Sequence, residues 1–572
     1  MTLPTGWTLS EWQHAYGKAQ LDPKTTLGEL RDTLSADDPA WIHIVSQTEL
    51  NAQIATLTSP SEQPLFGIPF VVKDNIDVAG LPTTAACPAY SYTAERDATT
   101  VARLKAAGAI VLAKTNLDQF ATGLVGTRSP YGIVPNSFNP DYVSGGPSSG
   151  SVVAVARGRV PAGFNNIVGL KPTKGRFSIQ GVVPACKSLD CVSVFALTVD
   201  DADTVASVLE GFDSADGYSR QPPHSTRYWS SQPRFGVPER HNWFGDAEAQ
   251  RAWEASLKTL QADGVKLVPM DFTPMQTLAQ LLYGGPWVAE RHAAIAEFMA
   301  AHAEEMNPVV RGIIEQAQNF SATDAYRAEY ARAELARAIQ TAMAEVDALL
   351  VPTAPRLPTI AQVEADPVGV NSQLGTWTNF VNLADCSALA LPAGIRADGL
   401  PFGITLIAPA WQDRALTDFG RHWEAIAPWK RGATDLQLPA PNAPSKAPRD
   451  HVRLAVVGAH LSGMPLNHQL TERHARLVER THTAPTYRLY TLPNTTPPKP
   501  GLIRADEGAS IIVELWDIPV DQFGSFVALV PAPLGIGTLT LNDGREVKGF
   551  ICEGAAVKGA QDITELGGWR AF

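Results

Sequence analysis

The chain has 572 residues, 45% of them hydrophobic and 18% charged, with a formal net charge of −12. This composition excludes a disordered chain, and the length suits either several nominal domains or one large α/β unit with a small partner domain. The acidic balance argues against a nucleic-acid or anionic-membrane partner, and no run approaches transmembrane length.

In chain order, the opening MTLPTGWTLSEWQHAYGKAQ has neither an apolar h-region nor an Arg-rich amphipathic pattern, so no export or organelle signal is expected. Residues 67–75 read Gly-Ile-Pro-Phe-Val-Val-Lys-Asp-Asn, an apolar run that predicts a buried strand with Lys73 at its end. A buried ammonium is costly unless paired or neutralised, and a neutral lysine can act as a base. Residues 99–107, Gly108 and 109–112 then predict a helix, its glycine stop and a strand.

The turn Gly145-Gly146-Pro147-Ser148-Ser149-Gly150 opens a helix of small residues that runs to Ala156. Such a turn leaves backbone N–H groups able to hold an anion or a developing oxyanion, although Ser148 or Ser149 serves equally well as a plain helix cap. The helix, glycine and strand pattern recurs at 246–263, Gly264 and 265–268, and a helical stretch at 321–346 runs into a strand at 349–352. This alternation predicts an α/β architecture, a mixed sheet covered by helices.

Tyr283 and Arg291 stand eight residues apart, about two helical turns, and share a face only if the Gly284-Gly285-Pro286 break falls at the start of a helix. Arginine suits a bidentate grip on a small carboxylate, whereas a surface arginine and a core tyrosine is the plainer reading. The five scattered cysteines, Cys87, Cys186, Cys191, Cys386 and Cys552, read as free thiols in a reducing, cytoplasmic setting. The Cys186–Cys191 spacing is not that of a zinc site, and no metal or other cofactor is implied.

The segment LPAPNAPSKAP from Leu438 to Pro448 reads as a stiff linker, so the expected division is 1–437 with a short helical extension to residue 60, a 438–450 linker, and a compact domain at 451–572. In the last part, 456–463 predicts a strand ending in a glycine-rich loop that holds His460, and 538–547 predicts a hairpin around Asp543-Gly544. A lone loop histidine is most simply a hydrogen-bonding residue.

Five stretches, FGIPFVVKDN, GAIVLAKTNLDQFATG, SGGPSSGS, NNIVGLKPTKG and ALLVPTAP, occur in the order of the motifs of the amidase signature family, and on them residues 60–430 resemble that family. The resemblance implies amide hydrolysis by a lysine, a serine with a cis peptide bond before it, and a nucleophilic serine. Lys73 falls on the lysine. Pro147 stands where the family has the cis-serine, and it offers no hydroxyl to relay a proton.

A second departure follows the helix. The family continues through a buried strand into a Gly-Thr-Asp-(Thr)-(Gly/Ala)-Gly-Ser turn, which carries the nucleophile and the oxyanion N–H groups, before an Arg-(Val/Ile)-Pro-Ala sequence. Here Arg157-Gly158 meets Arg159-Val160-Pro161-Ala162 directly. About fourteen residues are absent by comparison, enough at strand rise to cross the core of a sheet.

Residues 281–291 and 182–191 are similar to the substrate clamp and a neighbouring motif of allophanate hydrolases within that family. The resemblance implies a small anionic substrate, urea-1-carboxylate, with malonate-like ligands, held by Tyr283 and Arg291, and Gly123 presenting backbone to the amide. Residues 451–572 resemble that subgroup's smaller α+β C-terminal domain, with a fold like that of gamma-glutamylcyclotransferases. There the first product, N-carboxycarbamate, is processed and His460 matches an implicated histidine. The same resemblance implies a homodimer, a functional link to a biotin-dependent urea carboxylase, and a role in urea or triazine nitrogen degradation.

Three expectations follow. Amide hydrolysis is absent or nearly so, because the nucleophile segment is missing. Alternatively the chain is a non-catalytic anion-binding or partner protein. In the third, Ser148, Ser149 or Ser151 replaces the nucleophile, which requires a hydroxyl at about 2.6–3.2 Å from Lys73. Loss of a buried strand further implies a destabilised amidase domain.

Overall fold

The computed structural model describes residues 3–159, 165–223, 229, 233–440, 451–473, 475–493 and 495–572. Residues 160–162 of the junction and 441–450 of the expected linker lie outside the described residues. Two compact units emerge: Met1–Gln221 with Gln232–Pro441, and Pro222–Ser231 with Asn442–Phe572.

In the larger unit the expected α/β elements form for identifiable local reasons. Helix Thr99–Ala106 stops before Gly108, whose φ of 93° only glycine adopts freely, and strand Ile110–Thr115 follows, buried along its whole length. Helix Ala247–Ala262 begins where the Asp246 carboxylate accepts the Ala249 N–H and leads into strand Lys266–Met270. Helix Ala322–Met343 starts at a reciprocal Ser321–Asp324 capping box and precedes the fully buried strand Ala348–Pro352. The N-terminal extension holds helices Leu9–Gly17, Pro23–Asp32 and Gln47–Ile54, together with a strand, Trp41–Ile44, that its sequence did not announce.

The strands of this unit form two separate main sheets. A three-stranded sheet places Ile110–Thr115 between Trp41–Ile44 and Pro69–Lys73. A seven-stranded mixed sheet runs Val194–Ala196, Val168–Lys171, Cys386–Ile395, Pro401–Pro409, Ala348–Pro352, Arg234–Pro238, Lys266–Met270. Pro69–Lys73 ends the first sheet and Val194–Ala196 ends the second. Both edge strands line one cavity of about 440 Å³, which helices Thr99–Ala106, Ser149–Ala156 and Val199–Leu209 also flank.

Helix Ser149–Ala156 and strand Val168–Lys171 are joined by residues 157–167, of which 160–164 lie outside the described residues. A strand missing from this place leaves apolar sheet edges without a partner, which is expensive against a domain stability of about 5–15 kcal/mol. Scanning calorimetry is therefore expected to show two transitions, with the amidase-like unit melting first; a single high-temperature transition contradicts this.

The smaller unit is α+β. Its five-stranded sheet runs Arg476–His482, Ile512–Pro519, His451–Val456, Glu546–Cys552, Leu534–Thr540, and a three-stranded sheet joins Pro500–Arg504, Tyr487–Thr491 and Gln561–Asp562. The hairpin predicted around Asp543-Gly544 is present, with Leu534–Thr540 antiparallel to Glu546–Cys552 and Gly544 at a φ of 87°.

Candidate active site

Lys73 ends its strand opposite Thr115, and the chain beyond it is pinned at Asp74. The Asp74 carboxylate accepts the Thr84 N–H and hydroxyl at 2.9 and 2.5 Å and lies 3.1 Å from the Lys114 ammonium, both charges fully buried. Lys114 also donates to the Pro82 carbonyl and the Thr83 hydroxyl, so several bonds from this pair tie down the chain at the end of the strand. Lys73 has no such partner. Among the described residues its Nζ makes no hydrogen bond. Burial pulls its ammonium down to about 8, Asp190 and Asp118 oppose that pull, and Arg291 adds to it. At neutral pH the amine is mostly charged, and it turns neutral slightly above.

The Gly146–Pro147 peptide bond is cis. The Pro147 carbonyl accepts the Asp118 N–H at 3.2 Å, and the Gly150 N–H donates to the Asn116 carbonyl at 3.0 Å. The second contact corrects one expectation, since an N–H at the start of this helix is already committed inside the protein. Ser148 occupies the N-cap position of helix Ser149–Ala156 without a side-chain cap bond. The Ser149 hydroxyl reaches the Asn116 carbonyl at 3.5 Å, and the Ser151 hydroxyl pairs with that of Thr115 at 2.6 Å. No hydrogen bond joins any of these three serines to Lys73.

Gly123 sits in a loop folded around Asp118, whose carboxylate accepts the N–H groups of Val125, Gly126 and Arg128 at 3.1, 3.1 and 3.0 Å. A Cβ at Gly123 would meet Asp118 Oδ2 at 2.4 Å, and one at Gly146 would meet the same oxygen at 2.2 Å. Both positions therefore require glycine on packing grounds. Phe120 and Ala121 hold φ angles of 48° and 52° in this loop, strained values that the Asp118 bonds help to maintain.

Tyr283 and Arg291 do not share a helix. Tyr283 lies at the end of helix Thr273–Gly284 and Arg291 on helix Trp287–His302, with the chain broken at Gly285 and Pro286. The break brings them together, because the guanidinium lies 5.1 Å from the centre of the Tyr283 ring. Arg291 is 6% exposed and donates to the Thr122 hydroxyl at 3.1 Å, while its buried Nε has no partner. A buried guanidinium with an unused donor suits a planar anion.

Asp190, not singled out by the sequence, completes the constellation. It accepts the Ala185 and Cys186 N–H groups at 2.8 and 3.1 Å, and burial pushes its carboxyl up against those bonds. Glu290, next to Arg291, accepts the Ser188 N–H and hydroxyl, which ties this loop to the arginine helix. Lys73, Gly123, Pro147, Ser148, Tyr283 and Arg291 all line the 440 Å³ cavity, and Asp190 lines it with them. Among the described residues no three His, Cys, Asp or Glu side chains converge as metal ligands, and no helix is long and apolar enough to cross a membrane.

In the smaller unit, His460 follows strand His451–Val456 in the glycine-rich loop. Its Nε2 lies 2.9 Å from Gln469 Oε1 and its ring stacks on Phe550 at 5.1 Å, with Phe526 edge-on at 5.2 Å. Burial pulls its pKa down, so the ring is neutral near pH 7.

Comparison with known proteins gives the family. The Amidase family model matches residues 40–417, and the model of the allophanate hydrolase C-terminal domain matches 452–572. The urea amidolyase of Lachancea kluyveri is 44% identical over 605 aligned positions, covering 99% of this chain and 33% of that protein. The chain thus spans about a third of the length of the curated relatives it matches first. A serine-to-alanine variant of Kluyveromyces lactis allophanate hydrolase superimposes with a TM-score of 0.87 at 42% identity, covering 100% of this chain and 99% of that one. The crystal structure of K. lactis urea amidolyase matches with a TM-score of 0.86 at 42% identity, over 99% of this chain and 36% of that one. On the family model and the shared architecture, the chain belongs to the amidase family, its amidase domain joined to an allophanate hydrolase C-terminal domain.

Proposed function

We propose that the amidase unit is an allophanate hydrolase unit that keeps the anion-binding half of its site and has lost the amide-cleaving half. The observation that carries this reading is a half-buried Lys73 with no hydroxyl hydrogen-bonded to it, in the same cavity as an Arg291 whose Nε is unused. Pro147 supplies the bend at the cis position without a proton relay. The serines of the turn are committed elsewhere or unpaired with the amine, which argues against their taking over as nucleophile. The alignment with the urea amidolyase runs over more positions than this chain has residues, 605 against 572, so the relative carries residues with no counterpart here.

In this reading a urea-1-carboxylate or malonate carboxylate lies against Arg291, with Tyr283 backing the guanidinium and Lys73 adding a second positive charge. Calorimetric titration with malonate tests it. Because Lys73 is charged below its pKa of about 8 and neutral above, binding is expected to weaken as the pH rises from 7 to 9, and a Lys73→Met variant should lose that dependence. No malonate binding at either pH counts against the reading.

For the smaller unit, we propose that neutral His460 acts on N-carboxycarbamate, the product that an intact amidase unit would deliver. His460→Asn is expected to slow carbon dioxide release from that intermediate while leaving the thermal transition of this unit within a few degrees; unchanged release would remove His460 from the chemistry. The proposed setting is urea nitrogen degradation beside a biotin-dependent urea carboxylase, in a cytoplasmic homodimer, with triazine degradation as the other route. The names of the urea amidolyase relatives favour urea.

A further inference from the structure

Arg128 braces the loop that carries Thr122 and Gly123, and it is 2% exposed. Its Nη1 donates to the Thr122 carbonyl at 2.9 Å and its Nη2 to the Pro367 carbonyl at 2.5 Å, while its buried Nε has no partner. Both partners are backbone carbonyls, so among the described residues no carboxylate is hydrogen-bonded to this guanidinium. Burial pulls it below the ordinary arginine range, Asp118 opposes that pull, and Arg291 adds to it. An uncharged donor would brace a loop at less cost than a buried guanidinium set beside a second one.

Thr122 joins the two arginines. Its carbonyl accepts from Arg128, whereas its hydroxyl accepts from Arg291 at 3.1 Å and donates to the Phe120 carbonyl at 3.1 Å. The two residues before it, Phe120 and Ala121, hold positive φ angles, a conformation that persists only where several contacts over-determine it. Residues 366–371 supply two of those contacts, one on each side of Gly123: Pro367 accepts from Arg128, and Asn371 Oδ1 accepts the Leu124 N–H at 2.7 Å. Arg128 itself does not line the cavity. We infer that Arg128 is a positioning residue of the anion site: through the Thr122 carbonyl it sets the Thr122 hydroxyl against Arg291 and Gly123 at the cavity wall, and its charge favours an anionic occupant over a neutral one. The inference rests on the anion-binding reading proposed above and names a part of that site.

The test is calorimetric titration of malonate into the full chain and into Arg128→Lys, Arg128→Met, Thr122→Val and the double variant Thr122→Val with Arg128→Lys. Arg128→Met is expected to weaken binding about 30-fold, and Arg128→Lys, which keeps the charge and loses the planar fork, about fivefold. Thr122→Val is expected to cost about tenfold, and adding Arg128→Lys to it no more than about twofold further, because both changes act on one link. The fall in affinity between pH 7 and 9 that Lys73 imparts is expected to persist in Arg128→Lys. If Arg128→Met does not fold, Arg128→Lys and the double variant decide. Full-strength binding by Arg128→Lys overturns the inference alone and leaves the anion site standing. Losses that simply multiply in the double variant also overturn it, as does disappearance of the pH dependence in Arg128→Lys, since either marks general damage to the cavity. An unaltered chain that binds no malonate overturns the anion-site reading and this inference together.

Discussion

With allophanate as substrate, the chain is expected to release ammonia no faster than its own Lys73→Met variant. In serine hydrolases the loss of the nucleophile costs roughly six orders of magnitude in turnover, and what survives comes from oxyanion donors and substrate binding. Here the turn expected to carry both the nucleophile and those donors has no counterpart in the sequence between Arg157 and Arg159, and the hydroxyls near Lys73 make no bond to it. Restoring the relay alone does not repair this. Pro147→Ser is expected to remain inactive, because a relay without a nucleophile transfers no acyl group. Grafting a strand and turn of about fourteen residues after Gly158, together with Pro147→Ser, is expected to bring ammonia release back, since the graft supplies a nucleophile and oxyanion donors along with the relay. Ammonia release by the unaltered chain well above the Lys73→Met level would contradict this account.

Arg291→Ala is expected to weaken malonate binding about 30-fold or more, corresponding to about 2 kcal/mol for a charge-assisted hydrogen-bonded contact in a buried site. The guanidinium is almost fully enclosed, one of its nitrogens donates to Thr122 and its Nε has no partner, so truncation removes a buried charge and an unused donor together. Arg291→Lys keeps the charge but loses the planar fork and the ring contact, and is expected to recover only part of the affinity. Tyr283→Phe keeps the aromatic face 5.1 Å from the guanidinium and is expected to change binding by no more than about threefold. Calorimetry on the four proteins checks the series. Equal affinity of Arg291→Ala and the unaltered chain would move the anion site elsewhere.

Much of the larger unit was legible in its sequence because the signals were local. A glycine at positive φ after helix Thr99–Ala106, the Asp246 cap and the Ser321–Asp324 box each mark an element within a few residues. Lys73 was legible for a related reason, as a charged residue closing an apolar strand. What escaped was non-local. Asp118 and Asp190 act by collecting backbone N–H groups from irregular loops, and no periodicity announces such a carboxylate. The Tyr283–Arg291 contact depends on how the chain folds at Gly285 and Pro286, which the eight-residue spacing alone did not determine. The expected α/β fold with a mixed sheet is present; its division into a seven-stranded and a three-stranded sheet was not legible, since strand order depends on which edges meet, and Trp41–Ile44 became a strand through pairing with Ile110–Thr115.

The most direct test of a disarmed amidase site is covalent labelling. After reaction with a phosphonate probe directed at serine amidases, peptide mass spectrometry is expected to find Ser148, Ser149, Ser151 and every other serine unmodified. A phosphonylated serine on the wall of the Lys73 cavity would show that a working nucleophile is present and would contradict the account.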